Sequence, residues 1–264
     1  PDLIGLVSQP AVLRERLTDD TVAVRYEDRT WTWREHLAEA TAEASALIAL
    51  ADPARPLHVG ALLGNTPAML RSLAAAALGG YVLCGINTTR RGAGLLSDIR
   101  RADCQLLLIN PEHMPLVADL DLTGITVIDV SSPAYLDAVG SAAPLVPHHE
   151  AAATDPLMLI FTSGTSGNPK AVPFAHIMAV LSGSSLVLQH DITPHDVCYL
   201  SMPLFHSNGV AAGWAVAVCS GATMAPAKFS AARLLAAIRR YGATSMTYVG
   251  KPLALVLATQ ERPD

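Results

Sequence analysis

Ten residues, Phe161 to Lys170 (FTSGTSGNPK), gather four hydroxyl side chains, two glycines, a proline and a lysine behind an apolar run, Leu157 to Phe161. A strand that stops in a Gly/Ser/Thr-rich loop turns several backbone N–H groups and hydroxyl donors toward one point. That arrangement grips phosphate oxygens. Glycine lets the backbone approach the anion and take positive φ, and Lys170 adds a mobile positive charge. The Walker pattern, G-x-x-x-x-G-K-[ST], does not fit: counted from Gly164, its sixth position is Pro169, and Ala171 follows Lys170 where a hydroxyl residue is required. The eighteen basic residues are fifteen arginines and three lysines, Lys170, Lys228 and Lys251, so a lysine inside this loop stands out.

A second stretch with chemistry is Pro203 to Gly209 (PLFHSNG). An imidazole such as His206 can hydrogen-bond a carboxylate and steer it toward a phosphate. Taken alone, the same histidine equally fits a structural hydrogen bond at a loop end. His148-His149-Glu150 lacks further partners at ligand spacing and reads as a solvated loop. Cys84, Cys104, Cys198 and Cys219 are far apart with no C-x-x-C, which argues against a zinc site and fits reduced thiols in a cytoplasm.

The elements that must carry these stretches follow from periodicity. Thr21 to Trp33 reads as a hairpin turning at Glu27-Asp28-Arg29, with Trp31 and Trp33 as packing residues. Thr32 and Glu35 form a capping box for a helix through about Leu50, with Leu37, Ala40, Ala44 and Leu47 as its buried stripe. Strands are expected at 57–63, 81–86, 105–109, 126–130, 197–201, 222–226 and 244–249. Helices are expected at 66–78 (Thr66 as N-cap, Pro67 at the first position), 93–101, 112–120, 175–189, 210–219, 230–240 and from Pro252. Alternating strands and helices with short turns imply α/β architecture, with parallel sheets flanked by helices and right-handed crossovers. Residues 131–156, rich in Ala, Pro and Ser, read as a connecting segment. The organisation expected is a first α/β part with the hairpin over 1–150 and a phosphate-loop α/β part over 151–264.

Half the chain is hydrophobic, 51%, and only 16% is charged, so a sizeable core is available. A net charge of −5, without a basic tail or a run of one sign, gives no sign of a nucleic-acid partner, and none is expected. Leu73 to Ile86 is short and broken by Gly79-Gly80, and Gly209 to Ala227 is Ala/Gly-rich and interrupted by Pro226. Both read as buried helix-plus-strand pieces and not as transmembrane segments. No signal-peptide pattern is present at the first residue, and a cytoplasmic location is expected.

Phe161 through Lys170 resembles, position by position, the phosphate-loop signature of the adenylate-forming superfamily, Tyr/Phe-Thr-Ser-Gly-Thr-Thr/Ser-Gly-x-Pro-Lys-Gly. That superfamily includes acyl- and aryl-CoA ligases, firefly luciferase and peptide-synthetase adenylation domains. The one departure is Ala171 for glycine, which is expected to stiffen the loop exit because alanine resists φ > 0. PLFHSNG resembles the family's Pro-x-Phe-His-x-x-Gly motif, and the resemblance is strongest to bacterial fatty-acid–CoA ligases. It implies Lys170 and His206 as catalytic residues. It implies nucleotide contacts from Thr162, Ser163, Gly164, Thr165, Ser166, Gly167 and Lys170, with the Thr162 hydroxyl on magnesium. Substrate contacts are implied for Phe205, His206, Ser207, Asn208, Gly209, Val249 and Gly250, the last two from the segment TYVGK (247–251) that matches the acyl-pocket strand.

The implied reaction joins a carboxylic acid, ATP and coenzyme A. Amino-acid-activating relatives carry an Asp in the second motif, which is absent here, so an ammonium would be buried without a carboxylate. An apolar fatty or polycyclic acid is therefore expected, with an aryl acid as the runner-up. The family's adenine-binding, ribose-binding, hinge and C-terminal-lysine motifs have no match. The chain is thus expected to be the truncated N-terminal part of the large domain of the acyl-CoA synthetase-like fold, nearly inactive alone and, with apolar surface uncovered, prone to homo-oligomer formation. Two other readings stay open: a non-catalytic nucleotide- or acyl-binding module, and an acyl- or aryl-AMP ligase that loads a carrier protein.

Overall fold

The structure, a computed structural model, describes residues 9–162 and 169–258. After α1 (Gln9–Arg14) comes the expected hairpin, β1 (Val22–Tyr26) and β2 (Arg29–Thr32), with Glu27 at φ 53° in its turn. Helix α2 (Trp33–Leu50) starts at the predicted capping box: the Thr32 hydroxyl accepts from the Glu35 N–H at 3.1 Å, and the Glu35 carboxylate accepts from the Thr32 N–H at 2.8 Å. The alternation continues through β3 (His58–Leu62), α3 (Pro67–Gly79), β4 (Val82–Gly85), α4 (Gly92–Arg101), β5 (Leu106–Ile109), a 3-10 turn at Pro111–Leu116 and β6 (Thr126–Asp129). Then follow α5 (Pro133–Gly140), β7 (Pro156–Thr162), β8 (Lys170–Ala175), α6 (His176–His190) and β9 (Val197–Leu200). A short turn of helix α7 (Ser207–Gly209) runs through a π segment, Val210–Trp214, into α8 (Ala215–Ser220). The described chain closes with β10 (Thr223–Pro226), α9 (Leu234–Tyr241), β11 (Ser245–Met246) and α10 (Gly250–Leu257).

Among the described residues the strands form two sheets, ordered β6-β5-β3-β4-β7-β8 and β11-β9-β10-β1-β2. All neighbours are parallel except the pairs β7/β8 and β1/β2. Parallel sheets must be covered on both faces, and the period of two assigns the faces. Leu106 and Leu108 of β5 join a core with α2, α3 and α8, and Leu107 and Ile109 face a second core with Leu95 and Ile99 of α4. Cys198 and Leu200 of β9 enter the first core; Val197 and Tyr199 pack instead with Leu234 and Tyr241 of α9. One core therefore holds helices between the sheets, and each outer face has its own helix.

Several expectations change. Between the phosphate loop and α6 stands β8, an edge strand antiparallel to β7, so the loop closes a hairpin. Pro173 hid it from the sequence pattern, but an edge strand tolerates proline. Ala171 lies in this strand opposite Phe161, and it is not among the positive-φ residues. Its Cβ therefore imposes no strain, and the expected stiffening of the loop exit has no basis. Residues 133–140 form α5 with Ser132 capping Tyr135, so the connecting segment contains a helix docked on α2. Thr66 occupies the N-cap position without a side-chain cap bond. The expected strand over 244–249 contracts to the two residues of β11. Each sheet takes strands from both sides of residue 150. His149 bonds Asp155 at 3.0 Å and Glu150 pairs with Arg14 at 3.3 Å. Cys84 and Cys104, distant in sequence, meet in the second core, where burial pushes the Cys84 thiol well up. No helix among the described residues is long and apolar enough to cross a membrane.

Burial of polar groups in this core has a consequence for pH. The Glu43 carboxylate, fully buried, is paired with Arg71 and bonded by the hydroxyls of Ser72 at 2.6 Å and Tyr135 at 2.8 Å. The nearby His36 is buried with its Nε2 unpartnered, and burial pushes its pKa down to about 3; His176 is likewise pushed down to about 4. Below the ordinary histidine pKa the unfolded chain takes up protons that these folded-state imidazoles refuse, so stability falls as pH falls. The expected loss at pH 5 is on the order of 2 kcal/mol per histidine. Urea midpoints at pH 7 and pH 5 measure it, and His36→Phe is expected to shrink the difference by about half.

Candidate active site at the carboxyl ends of two sheets

In parallel sheets the strand ends that carry the loops toward the following helices form the ligand crevice, above all where successive strands diverge. Here β4 and β5 flank β3 on opposite sides, so the loops after β3 and β5 part at a switch point. A cavity of about 980 Å³ opens there. From the six-stranded sheet its wall takes Asn65 and Thr66 after β3, Thr88, Thr89 and Arg91 after β4, and Glu112 and His113 after β5. From the other sheet it takes Met202, Phe205 and His206 after β9, Lys228 and Phe229 after β10, and Tyr248 and Val249 after β11. Both sheets thus turn the same ends toward one space.

The second motif forms part of that wall. Phe205 is buried, with its ring centroid 4.7 Å from that of His206. His206 is half-buried, and this burial lowers its pKa from the ordinary histidine value. A neutral imidazole at neutral pH is thereby favoured, able to donate one N–H to an anion without carrying a charge. The loop turns tightly on itself: the His206 N–H donates to the Pro203 carbonyl at 3.0 Å, and the Val210 N–H to the His206 carbonyl at 3.2 Å. The π segment after it is the kind of irregularity that gathers at functional sites.

Gly209 has a different role from the expected substrate contact. A Cβ on it would lie 2.2 Å from the Pro203 carbonyl oxygen, so the position must be glycine for the loop to close. Ser207 and Asn208 are exposed and, with Gly209 and Gly250, lie outside the cavity wall; Phe205, His206 and Val249 lie on it. A motif read linearly assigns contact to all its members, whereas a tight turn spends some of them on its own geometry.

Thr162 and Lys170 are exposed and stand opposite each other in register at the loop end of the β7/β8 hairpin. Ser163, Gly164, Thr165, Ser166 and Gly167 lie outside the described residues. Strand β7 runs parallel to β4, so its last residue, Thr162, lies at the same end of the sheet as Thr88, Thr89 and Arg91. Arg101, at the end of α4, donates to the Pro169 carbonyl at 2.6 Å and ties down the return of the loop. Arg90 bonds the buried Asp98 at 2.9 Å and holds the turn that carries Thr88, Thr89 and Arg91. Among the described residues no group of three His, Cys, Asp or Glu side chains is placed to hold a metal ion. The Thr162 hydroxyl is an oxygen donor suited to magnesium. Asn65, Arg91, Glu112 and Lys228 belong to no motif; their only sequence signal is a position just after an apolar strand.

With this geometry in view, the similarities to known proteins can be placed. The family model described as AMP-binding enzyme matches residues 13–264. The chain is 47% identical over 247 residues to the medium/long-chain-fatty-acid–CoA ligase FadD17 of Mycobacterium tuberculosis, covering 93% of this chain and 48% of that protein. It is 40% identical over 259 residues to the steroid-22-oyl-CoA synthetase of Rhodococcus jostii, covering 96% of this chain and 46% of that protein. Among solved structures it resembles the O-succinylbenzoate coenzyme A synthetase of Bacillus subtilis in complex with AMP, with TM-score 0.77 and 25% identity over 93% of this chain and 63% of that one. The chain belongs to the AMP-binding enzyme family. It spans about half the length of the curated relatives it matches.

The steric reading of Gly209 is testable. Gly209→Ala is expected to cost about 2 kcal/mol, as overpacking does, read as a lower urea midpoint. Gly140→Ala, where an added Cβ meets nothing within 4 Å, is expected to leave the midpoint unchanged or slightly higher.

Proposed function

We propose that this chain is the N-terminal part of an ATP-dependent acyl-CoA ligase acting on an apolar carboxylic acid, fatty or polycyclic. The observation that carries the proposal is the cavity at the joined carboxyl ends, with Phe205 and His206 on its wall and Thr162 and Lys170 at the same end of the adjoining sheet. Relatives named as fatty-acid and steroid-oyl CoA ligases support the substrate class. A cavity of about 980 Å³ has room for a large acid. The absence of an acidic residue in PLFHSNG disfavours an amino acid.

In the proposed reaction the acid's carboxylate attacks the α-phosphate of ATP, releasing pyrophosphate, and the thiol of coenzyme A then displaces AMP to give the thioester. The residues of this chain orient and neutralise. His206, kept neutral by burial, donates a hydrogen bond to the carboxylate at the cavity wall, beside the apolar face of Phe205. Lys170, held opposite Thr162 by the hairpin ladder, meets the negative charge that grows on the departing phosphates. Thr162 offers its hydroxyl to magnesium, which shields the same charge when bound. The apolar residues around Val249 and Leu253 exclude water from the acid.

Acid-dependent ATP–pyrophosphate exchange by the full-length protein, with fatty, steroid-derived, aryl and amino acids, tests this. Exchange is expected with the apolar acids. Lys170→Ala is expected to lower it by about a hundredfold, and His206→Ala by about tenfold, the worth of one hydrogen bond. Because burial lowers the His206 pKa, its contribution as a neutral imidazole is expected to persist to a lower pH than that of an ordinary exposed histidine, read from the pH profiles of the native protein and His206→Ala. A folded protein that binds ATP yet exchanges with no acid would instead be a binding module. Activity with a carrier protein in place of coenzyme A would identify the ligase class that loads such carriers.

A further inference from the structure

Asn65, next to Gly64 in the turn after β3, belongs to neither motif, yet its side chain reaches across from one sheet to the other. Its Nδ2 group donates to the carbonyls of Leu200 at 2.9 Å and Met202 at 2.7 Å, and its Oδ1 accepts from the Leu204 N–H at 3.1 Å. The amide orientation is unambiguous, since the reverse would set an oxygen against two carbonyl oxygens. Both N–H groups are thereby committed to backbone, which leaves Asn65 no donor for a ligand. The residue is itself anchored from behind: the buried Asn110 accepts from the Gly64 N–H at 2.9 Å, and the His113 ring nitrogen Nδ1 bonds the Leu62 carbonyl at 3.1 Å.

The three groups that Asn65 binds are the last carbonyl of β9, the carbonyl of Met202 just before PLFHSNG, and the N–H of Leu204, the second residue of that motif. Next in the chain are Phe205 and His206, and an added Cβ at Gly85, the last residue of β4, would lie 3.0 Å from both the Phe205 Cα and its carbonyl oxygen. The loop is therefore pressed against one strand of the six-stranded sheet and tied to the turn after another. A strand-end loop without such ties would have only its internal bonds to set the direction of the His206 ring, and misplacement of a positioning group by about 1 Å costs on the order of a hundredfold in rate. We propose that Asn65 is a positioning residue of the active site: it fixes the Phe205–His206 pair relative to the phosphate-loop sheet by clamping residues 200–204. Its part in catalysis rests on the ligase reading above; its clamping of the loop does not.

The experiment has one arm for each. In the full-length protein, with histidine-selective isotope labelling, the His206 ring signals are followed across pH in the native form, Asn65→Ala and the isosteric Asn65→Asp. Both variants are expected to shift the His206 signals and raise the titration midpoint toward the ordinary histidine value, while the His36 and His176 signals stay in place. In the native chain the Leu204 amide, though outside any strand or helix, is expected to exchange slowly with solvent. A His206 titration unmoved in whichever variants fold, or a rapidly exchanging Leu204 amide, would overturn the clamp. In the full-length protein, Asn65→Ala is expected to lower kcat for pyrophosphate exchange at least tenfold while KM for ATP changes less than twofold. An unchanged kcat beside a moved His206 would overturn the catalytic part alone. Absence of exchange in the native protein would count against the ligase reading, and the labelling arm would still decide the clamp.

Discussion

Burial of α3 on every side is the constraint on which the rest of the molecule depends. From Met69 to Gly79 all of its residues but Arg71 are buried, and it has no polar face to offer to water. A helix of that kind has to sit inside a layer, and the two sheets, with α2 and α8 beside it, supply the walls. Arg71 is accommodated only because Glu43 of α2 faces it, with Ser72 and Tyr135 completing the carboxylate's bonds. Removing one member of such a buried pair leaves an uncompensated charge, at a cost of about 3–5 kcal/mol. The pair therefore specifies which face of α2 meets α3, and through Tyr135 it also recruits α5.

The site is a geometric consequence of that layering. Two parallel sheets stacked over common helices bring their carboxyl ends to one side of the molecule, and loops that would be separate in separate domains become walls of one cavity. The tie between them is polar and directional. Hydrophobic burial holds the sheets at their spacing, but it does not set the angle of a loop; the three bonds of Asn65 to residues 200–204 do. The electrostatics follow from the same partition. The imidazole of His206 is half-buried and so favours its neutral form, whereas Thr162 and Lys170 stay exposed at the loop end of the hairpin.

What was legible in the sequence was what local chemistry decides. The capping box at Thr32 and Glu35, the hairpin before it and the strand–helix alternation depend on residues within a few positions of one another, and they stand where the spacing put them. Strand β8 was not legible, because Lys170 to Ala175 contains a proline and becomes a strand only by pairing with β7. The irrelevance of Ala171 to loop stiffness follows from the same pairing, and the joining of strands across residue 150 follows from two others, β4 with β7 and β1 with β10. Helix α5 needed a partner, the Glu43 carboxylate, that lies far away in sequence. The roles within PLFHSNG were decided in three dimensions as well, where Gly209 serves the closure of the turn and His206 the wall of the cavity. By itself the sequence determined the chemistry available and the local elements that carry it, since hydrogen bonds of caps and turns are short-range. Only the tertiary structure decided which strand ends share a space and which side chains, Asn65 above all, hold them there, because such contacts join residues whose separation along the chain carries no signal.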